Sequence, residues 1–189
     1  MVTLQRSSRN GMTIVTASML LVFTACHRGG GGSSASSGPQ ALATLMDSAG
    51  RQIGLASFRA TPAGVVIDVR ATRLQPGAHG IHIHTVGKCD RPAFTTAGAH
   101  FNPDGMKHGM EATGGPHAGD LPNFVVAAGD TARYHATTDH VSLGDDAKTL
   151  FDADGSAIVI HAAADDNRTD PSGNSGARIT CGVISRVTP

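Results

Sequence analysis

The sequence predicts an all-β fold, an antiparallel sandwich or barrel, on three observations. Eight short segments alternate apolar with polar residues and are cut by Gly, Pro and Asp. The connections between the first of them are short turn sequences, "SAG", "TPA" and "RLQPGAH". The composition is rich in glycine, 24 residues, and only 16% charged, with no convincing amphipathic helix and no internal repeat, which favours strands and loops. The formal net charge is zero and no basic run is interleaved with aromatics, which excludes a nucleic-acid footprint.

Residues 1–25 precede these segments. Arg6 and Arg9 form a basic n-region, and "GMTIVTASMLLVFTA" (11–25) is apolar, short for a membrane span and closed by small residues, the pattern of a signal peptide. "LVFTAC" resembles a bacterial lipoprotein signal, with Phe23 where an aliphatic is commoner. That resemblance implies lipidation at Cys26, export to the periplasm or cell surface, and a lipid anchor to a bacterial membrane. Residues 26–39 hold that cysteine and "HRGGGGSSASSG", a Gly/Ser tether that cannot bury a core. One domain remains, residues 40–189. Loss of Arg6 and Arg9 with the signal leaves 13 of the 15 basic residues against 15 acidic ones. Three cysteines are an odd number for an exported protein. If Cys26 carries lipid, Cys89 and Cys181 remain as a pair that an oxidising compartment lets bridge.

The candidate strands are 40–47, 52–60, 64–72, 80–86, 123–128, 131–141, 156–163 and 178–185. In "GIHIHTV" the side chains of His82 and His84 share one strand face, and Ile81 and Ile83 share the other, which is the natural core side. In "SAIVIHAA", Ile158 and Ile160 face the core while Val159 shares the face of His161. Two connections break the short-turn rule, 87–122 and 162–177. Loops of that length inside one domain are usually functional.

The histidines concentrate there. An H-x-H pair on one strand face offers two imidazoles to a transition metal, but alone it is a weak signal. The first long connection adds His100, His108, His117 and Asp120 within 21 positions, outside any strand pattern. Three imidazoles and a carboxylate suit a closed tetrahedral zinc site that would pin a Gly/Pro-rich loop. The bland alternative is a solvated histidine-rich loop. His161 ends an apolar strand, where a lone histidine is more often structural, but the second long connection starts directly after it. These are seven candidate ligands, and two four-coordinate ions need eight positions. One imidazole bridging two ions closes the gap, as does one open site; the sequence leaves both available.

Five motifs in order, "HGIHIH", "GAHFNPDGMKHG", "HAGDLPN", "IVIHAAADD" and "GNSGARITCGVI", resemble the copper–zinc superoxide dismutases of the bacterial exported type across residues 40–189. The resemblance implies an eight-stranded antiparallel Greek-key β-barrel with two long functional loops. It implies copper at His82, His84, His100 and His161, and zinc at His100, His108, His117 and Asp120, so that His100 is the bridge. It further implies a Cys89–Cys181 disulfide, with Asp165 hydrogen-bonding one ligand histidine of each metal. Arg178 stands beside the copper, and His79 ties loops together without being a ligand. His135 and His140 match no metal position and read as exposed strand residues. The second loop departs from richer members in carrying Asp165, Asp166, Arg168 and Asp170 but no Lys.

The activity implied is dismutation of superoxide to oxygen and hydrogen peroxide. Zinc has no accessible redox change, so the electron goes to copper. His100 carries a proton, and Arg178 seats the anion. The alternative is an extracytoplasmic copper/zinc-binding protein without turnover, which predicts missing ligands or a missing arginine. Both monomer and homodimer are open on the sequence.

Overall fold

Burial follows the sequence alternation through β1 (Gln40–Asp47) and β7 (Ala132–Thr138), and β5 (Ile81–His84) and β8 (Ala157–His161) are buried on both faces. The computed structural model describes residues 1–4, 40–129 and 131–187. The chain divides into Met1–Ser33 and Ser34–Pro189, and the second unit carries every strand described. Beyond Met1–Leu4, the signal segment, Cys26 and the tether lie outside the described residues. In β1 (Gln40–Asp47), Ala41, Ala43 and Leu45 are buried while Leu42 and Thr44 are exposed. Strand β2 (Gln52–Thr61) buries Ile53, Ala56 and Phe58, and β3 (Gly64–Ala71) buries Val65, Ile67, Val69 and Ala71. Strand β7 (Ala132–Thr138) buries Ala132, Tyr134 and Ala136 and turns Arg133 and His135 outward. The period of two sends one face of each strand into a single core.

The remaining strands are β4 (Gly77–His79), β5 (Ile81–His84), β6 (Phe124–Val126), β8 (Ala157–His161), β9 (Arg178–Val183) and β10 (Ser185–Arg186). The main sheet is antiparallel and runs β5-β8-β9-β1-β2-β3-β7, with β10 beside β1; β4 pairs with β6. Strand β6 packs beside β7, and β5 follows β4 across Gly80, so the neighbours close into a ring. The links β3→β4 and β7→β8 join non-adjacent members of that ring, which is Greek-key connectivity. Closure leaves few free edges. All eight expected strands are present. Strands β4 and β10, three and two residues long, are additions.

Two expectations need correction. The strand expected to 141 stops at Thr138, so His140 lies in the following bend rather than in a strand. It is exposed, as is His135 on β7, whose Nδ1 lies 2.8 Å from Asp68 Oδ1. A third long connection, 139–156, also joins β7 to β8. It is no solvated loop, because Val141, Leu143 and Leu150 plug the core. Each such side chain stabilises by about 1.5–3 kcal/mol when fully buried.

Candidate metal centre

Strand β5 sets the centre. Ile81 and Ile83 fill the core, and His82 and His84 project from the opposite face, yet all four are buried. The cover is the first long connection folded back along β5. The Phe101 N–H donates to the Ile83 carbonyl (2.8 Å), and the Ile83 N–H donates to the Gly119 carbonyl (2.8 Å). This backbone pairing sets His100 opposite His84 and Asp120 opposite His82. A side chain at Gly119 would begin 2.2 Å from the Ile83 carbonyl oxygen, so only glycine permits the fold-back. His161 arrives at the end of β8, which pairs with β5.

Three groups of possible ligand atoms result among the described residues, the atoms of each within 4.8 Å of one another: a first of His82, His84, His100 and His161, a second of His100, His108, His117 and Asp120, and a smaller one of His82, His108 and Asp165. His100 belongs to the first two. In the first group every ring has one partnered nitrogen and one bare nitrogen. His84 Nδ1 lies 3.0 Å from the Gly98 carbonyl, and His161 Nδ1 lies 3.2 Å from the Gly176 carbonyl. A carbonyl only accepts, so each Nδ1 carries the proton and each Nε2 keeps its lone pair. His82 Nε2 lies 2.6 Å from Asp165 Oδ2, and His100 Nδ1 lies 2.8 Å from Asp120 Oδ1. The opposite nitrogens, His82 Nδ1 and Nε2 of His84, His100 and His161, are buried with no hydrogen-bond partner. Four bare buried nitrogens in one group demand an explanation, and a transition-metal cation fits the donor set.

The second group gathers on one carboxylate. Asp120 Oδ1 lies 2.8 Å from His100 Nδ1, 3.1 Å from His108 Nδ1 and 3.3 Å from His117 Nδ1. The last contact lacks hydrogen-bond alignment, and His117 Nδ1 has no partner. Asp120 Oδ2 accepts from the backbone N–H groups of Gly109 (2.9 Å) and His117 (3.0 Å). Three nitrogens and an oxygen suit zinc.

Asp165 joins the groups: Oδ2 meets His82 Nε2 and Oδ1 meets His108 Nε2 at 3.0 Å. Asn123 holds Asp165 by two backbone hydrogen bonds of 2.8 Å, donating to its carbonyl and accepting from its N–H. Gly173 makes room, since a Cβ there would sit 1.8 Å from Asp165 Oδ1. The two long loops also join where the His108 N–H donates to Asp170 Oδ1 (2.5 Å) and Arg168 pairs with Glu111.

Electrostatics separate the groups. Burial, and then the neighbouring imidazoles, hold His84 well below the ordinary histidine value and push His161 down to about 3. Burial also brings His100 down to about 4, with Asp120 opposing it. These rings are neutral at pH 7, which is the form that ligates. Burial lowers His108 too, but hydrogen bonds to Asp120 and Asp165 outweigh it and raise His108 to about 9. Burial raises both carboxyls, and their histidine partners more than reverse this, holding Asp120 and Asp165 well below the usual range.

Arg178 opens β9 half-buried. Its Nη1 donates to the Phe94 carbonyl (2.8 Å) and its Nη2 to the Gly98 carbonyl (2.7 Å). Both acceptors lie in the stretch after Cys89. The Cys89–Cys181 disulfide, Cα–Cα 5.7 Å, packs that stretch onto β8 and β9 through Phe94, Ala97 and Val159. The bridge therefore holds the carbonyls that hold Arg178. A cavity of about 490 Å³ places Arg178 with His84, His100, His161, Thr95 and Ser172. Its guanidinium keeps a second N–H on each of Nη1 and Nη2.

The structure brings His82, His84, His100, His108, His117, Asp120, His161, Asp165 and Arg178 together, while Cys89 and Cys181 form their bridge outside this cluster. His79 lies beside it, its ring nitrogens 2.8 Å from the His161 carbonyl and 2.9 Å from the Gln75 carbonyl. Sequence reasoning missed Asn123, Asp170, Gly173 and the carbonyls of Gly98 and Gly176. Asn123 ends the motif "HAGDLPN" and was within reach; a carbonyl's role leaves no trace in side-chain identity.

The family described as copper/zinc superoxide dismutase (SODC) matches residues 52–184. A relative from Aquifex aeolicus, "Superoxide dismutase [Cu-Zn] 1", is 42% identical over 144 residues, 75% of this chain and 85% of that protein. One from Caulobacter vibrioides, "Superoxide dismutase [Cu-Zn]", is 38% identical over 76% of this chain and 84% of its own length. The crystal structure of a SOD-like protein from Bacillus subtilis superposes with a TM-score of 0.72 at 40% identity, covering 75% of this chain and 95% of that one.

Proposed function

The chain belongs to the copper/zinc superoxide dismutase family, and from that premise we propose that it dismutes superoxide at copper held by His82, His84, His100 and His161. Zinc is held by His100, His108, His117 and Asp120. The observation that carries this reading is His100, whose Nδ1 faces Asp120 while its Nε2 stands bare among the other three histidines. Two superoxide ions and two protons give one oxygen and one hydrogen peroxide; one anion loses an electron and the other gains it. Bound copper supplies that one-electron exchange, and zinc supplies charge and fixes the loop.

The chain's own residues do the rest. The free N–H groups of Arg178 bind and orient the anion in the cavity, a charge-assisted contact. His100 Nε2 takes up and gives back a proton; Asp120 orients its ring through Nδ1. Asp165 orients His82 and His108 together. The mature chain carries an acidic excess, so Arg178 must supply a local positive field; steering by such fields reaches about 10⁸–10⁹ M⁻¹s⁻¹, and superoxide dismutase is one of the systems behind that figure. Metal analysis with a superoxide-consumption assay tests the assignment. One copper and one zinc per chain with rapid turnover are expected, and full metal content without turnover would contradict it.

Export and a membrane anchor through Cys26 belong to the same proposal, supported by the signal-like pattern of 1–25 and the Gly/Ser tether. Stable anchoring takes more than one acyl chain, as a lipoprotein cysteine provides. Cys26→Ser is expected to move active protein into the soluble fraction; retention in the membrane fraction would contradict it.

A further inference from the structure

The barrel has a side far from the metal centre, and its surface is unlike the rest. Round the ring, β2 lies four strands from β5 by way of β8, β9 and β1, and β3 lies four strands from it by way of β4, β6 and β7. Register sorts the outward side chains there. Leu42 stands opposite Ser57, Thr44 opposite Leu55, and Gln40 opposite Arg59. Leu55 stands opposite Arg70, and Arg70 opposite Arg133 on β7. Leu42, Leu55, Val183 and Val187 are 40%, 43%, 39% and 44% exposed and line one cavity of about 570 Å³. Aliphatics gathered into one exposed patch mark a contact surface. Arg59, Arg70 and Arg133 flank the patch, all exposed. The carboxylate that register places on this face, Asp68, is held by His135 at 2.8 Å. Acid crowds elsewhere, with five Asp against one Lys in the connection 139–156.

We propose that this outer face of β1, β2 and β3 rests on the anionic lipid surface to which Cys26 anchors the chain; the proposal rests on that anchoring. Residues 26–39, 14 in number, enter the domain at Gln40, on the edge of the same face. Fully extended they reach about 50 Å. Held within that range, a contact too weak to form from solution becomes populated. The aliphatics sink into the headgroup boundary and the guanidinium groups meet lipid phosphates. Four partly exposed side chains are too few to hold the domain alone, so Cys26→Ser still releases it. A second copy packed on the same patch would set these arginines against their own counterparts. Docking by the far side leaves the cavity beside Arg178 open to water, where the superoxide anion arrives.

The chain has no Trp, so one substitution gives a sole indole reporter. The full lipidated chain is made as Leu55→Trp, on the face, and as Met106→Trp, exposed on the loop that covers β5. Each is reconstituted on vesicles of phosphatidylglycerol and phosphatidylethanolamine whose acyl chains carry bromine near the headgroup. Indole favours a membrane interface wherever it is placed, and Met106→Trp reports that bias. Leu55→Trp is expected to shift to shorter wavelength and lose most of its emission to bromine, while Met106→Trp keeps its own. Quenching of Leu55→Trp is expected to fall on phosphatidylcholine vesicles, and again when Arg59, Arg70 and Arg133 are all changed to Glu. Equal quenching of the two reporters, or none of either, would overturn the proposal. Undiminished quenching of Leu55→Trp on phosphatidylcholine would overturn the anionic surface as its partner. A blue shift without bromine quenching would overturn it in favour of a second copy covering the face. Failure of the chain to float with the vesicles would overturn the anchoring through Cys26 itself, before any emission is read.

Discussion

The two ligand groups differ in what builds them. Three of the first group, His82, His84 and His161, stand on β5 and β8, strands paired along their length. Their outer nitrogens are fixed by the Gly98 and Gly176 carbonyls and by Asp165. All of the second group comes from the single loop stretch His100–Asp120, gathered on one carboxylate. The sheet prearranges the first; the second is gathered by contacts of its histidines with the one Asp120 carboxylate, with Asp165 holding His108 from its other nitrogen. Only His100 takes part in both. A redox site needs fixed geometry through turnover, and a strand supplies it; a structural ion can organise the loop that binds it.

The largest expected effect breaks the comparison at its shared member. His100→Ala is expected to empty both sites and abolish turnover, while His108→Ala loses zinc and keeps copper; metal contents by mass spectrometry separate the two. Full copper and zinc in His100→Ala would dissolve the distinction.

Reduction of Cys89–Cys181 comes next. The separation of 92 residues makes the bridge worth about 4–5 kcal/mol by the chain-entropy estimate. Freed carbonyls of Phe94 and Gly98 should also loosen Arg178. Denaturant midpoint and activity are expected to fall together, with bound copper retained. Unchanged activity after reduction would separate the bridge from Arg178.

Arg178 itself should act on the anion alone. Arg178→Glu is expected to leave metal content unchanged and cut the superoxide rate by about tenfold or more at low salt. The difference should shrink as ionic strength approaches about 0.15 M, where charges beyond roughly 8 Å are screened. No Lys in the second loop shares its role. Equal rates at low salt would show that local focusing is not operating.

The smallest effect sharpens the contrast through pH. In the metal-free protein the depressed histidines of the first group, His100 at about 4 and His161 at about 3, resist protons that the unfolded chain accepts near 6.5. Their contribution is whole above about pH 6.5 and is lost as pH falls toward those values. His108, raised to about 9, does the opposite: its contribution is whole below pH 6.5 and is lost as pH rises through 9. Thermal midpoints against pH should therefore fall on both sides of neutrality. In His108→Ala the alkaline arm should flatten and the acid arm remain. A midpoint that rises steadily to pH 9 in the unaltered metal-free chain would contradict the assignment.

Much of this was legible in the sequence, for reasons that vary by residue. Period-two alternation located all eight principal strands, because a strand with one buried face must alternate. Strand β4 escaped because "GAH" exposes Gly77 and Ala78 and pairs only with the distant β6. The connection 139–156 escaped because Leu143 and Leu150 anchor it at no regular spacing, among Gly and Asp. Histidine clustering exposed the ligand candidates, and the family motifs sorted them into two sets. The folding back of 100–120 along β5 was invisible, because it rests on backbone bonds at Ile83, Phe101 and Gly119.

The central claim, that one ring joins both sites, is tested most directly by electron paramagnetic resonance of the copper(II) protein carrying either zinc or cobalt(II) in the second site. Two paramagnetic ions bound to opposite nitrogens of one imidazolate couple magnetically, and zinc, with no unpaired electron, does not. The copper signal is expected to be full with zinc and to vanish with cobalt at the same occupancy. A copper signal of equal size in both forms would mean that His100 serves one ion only.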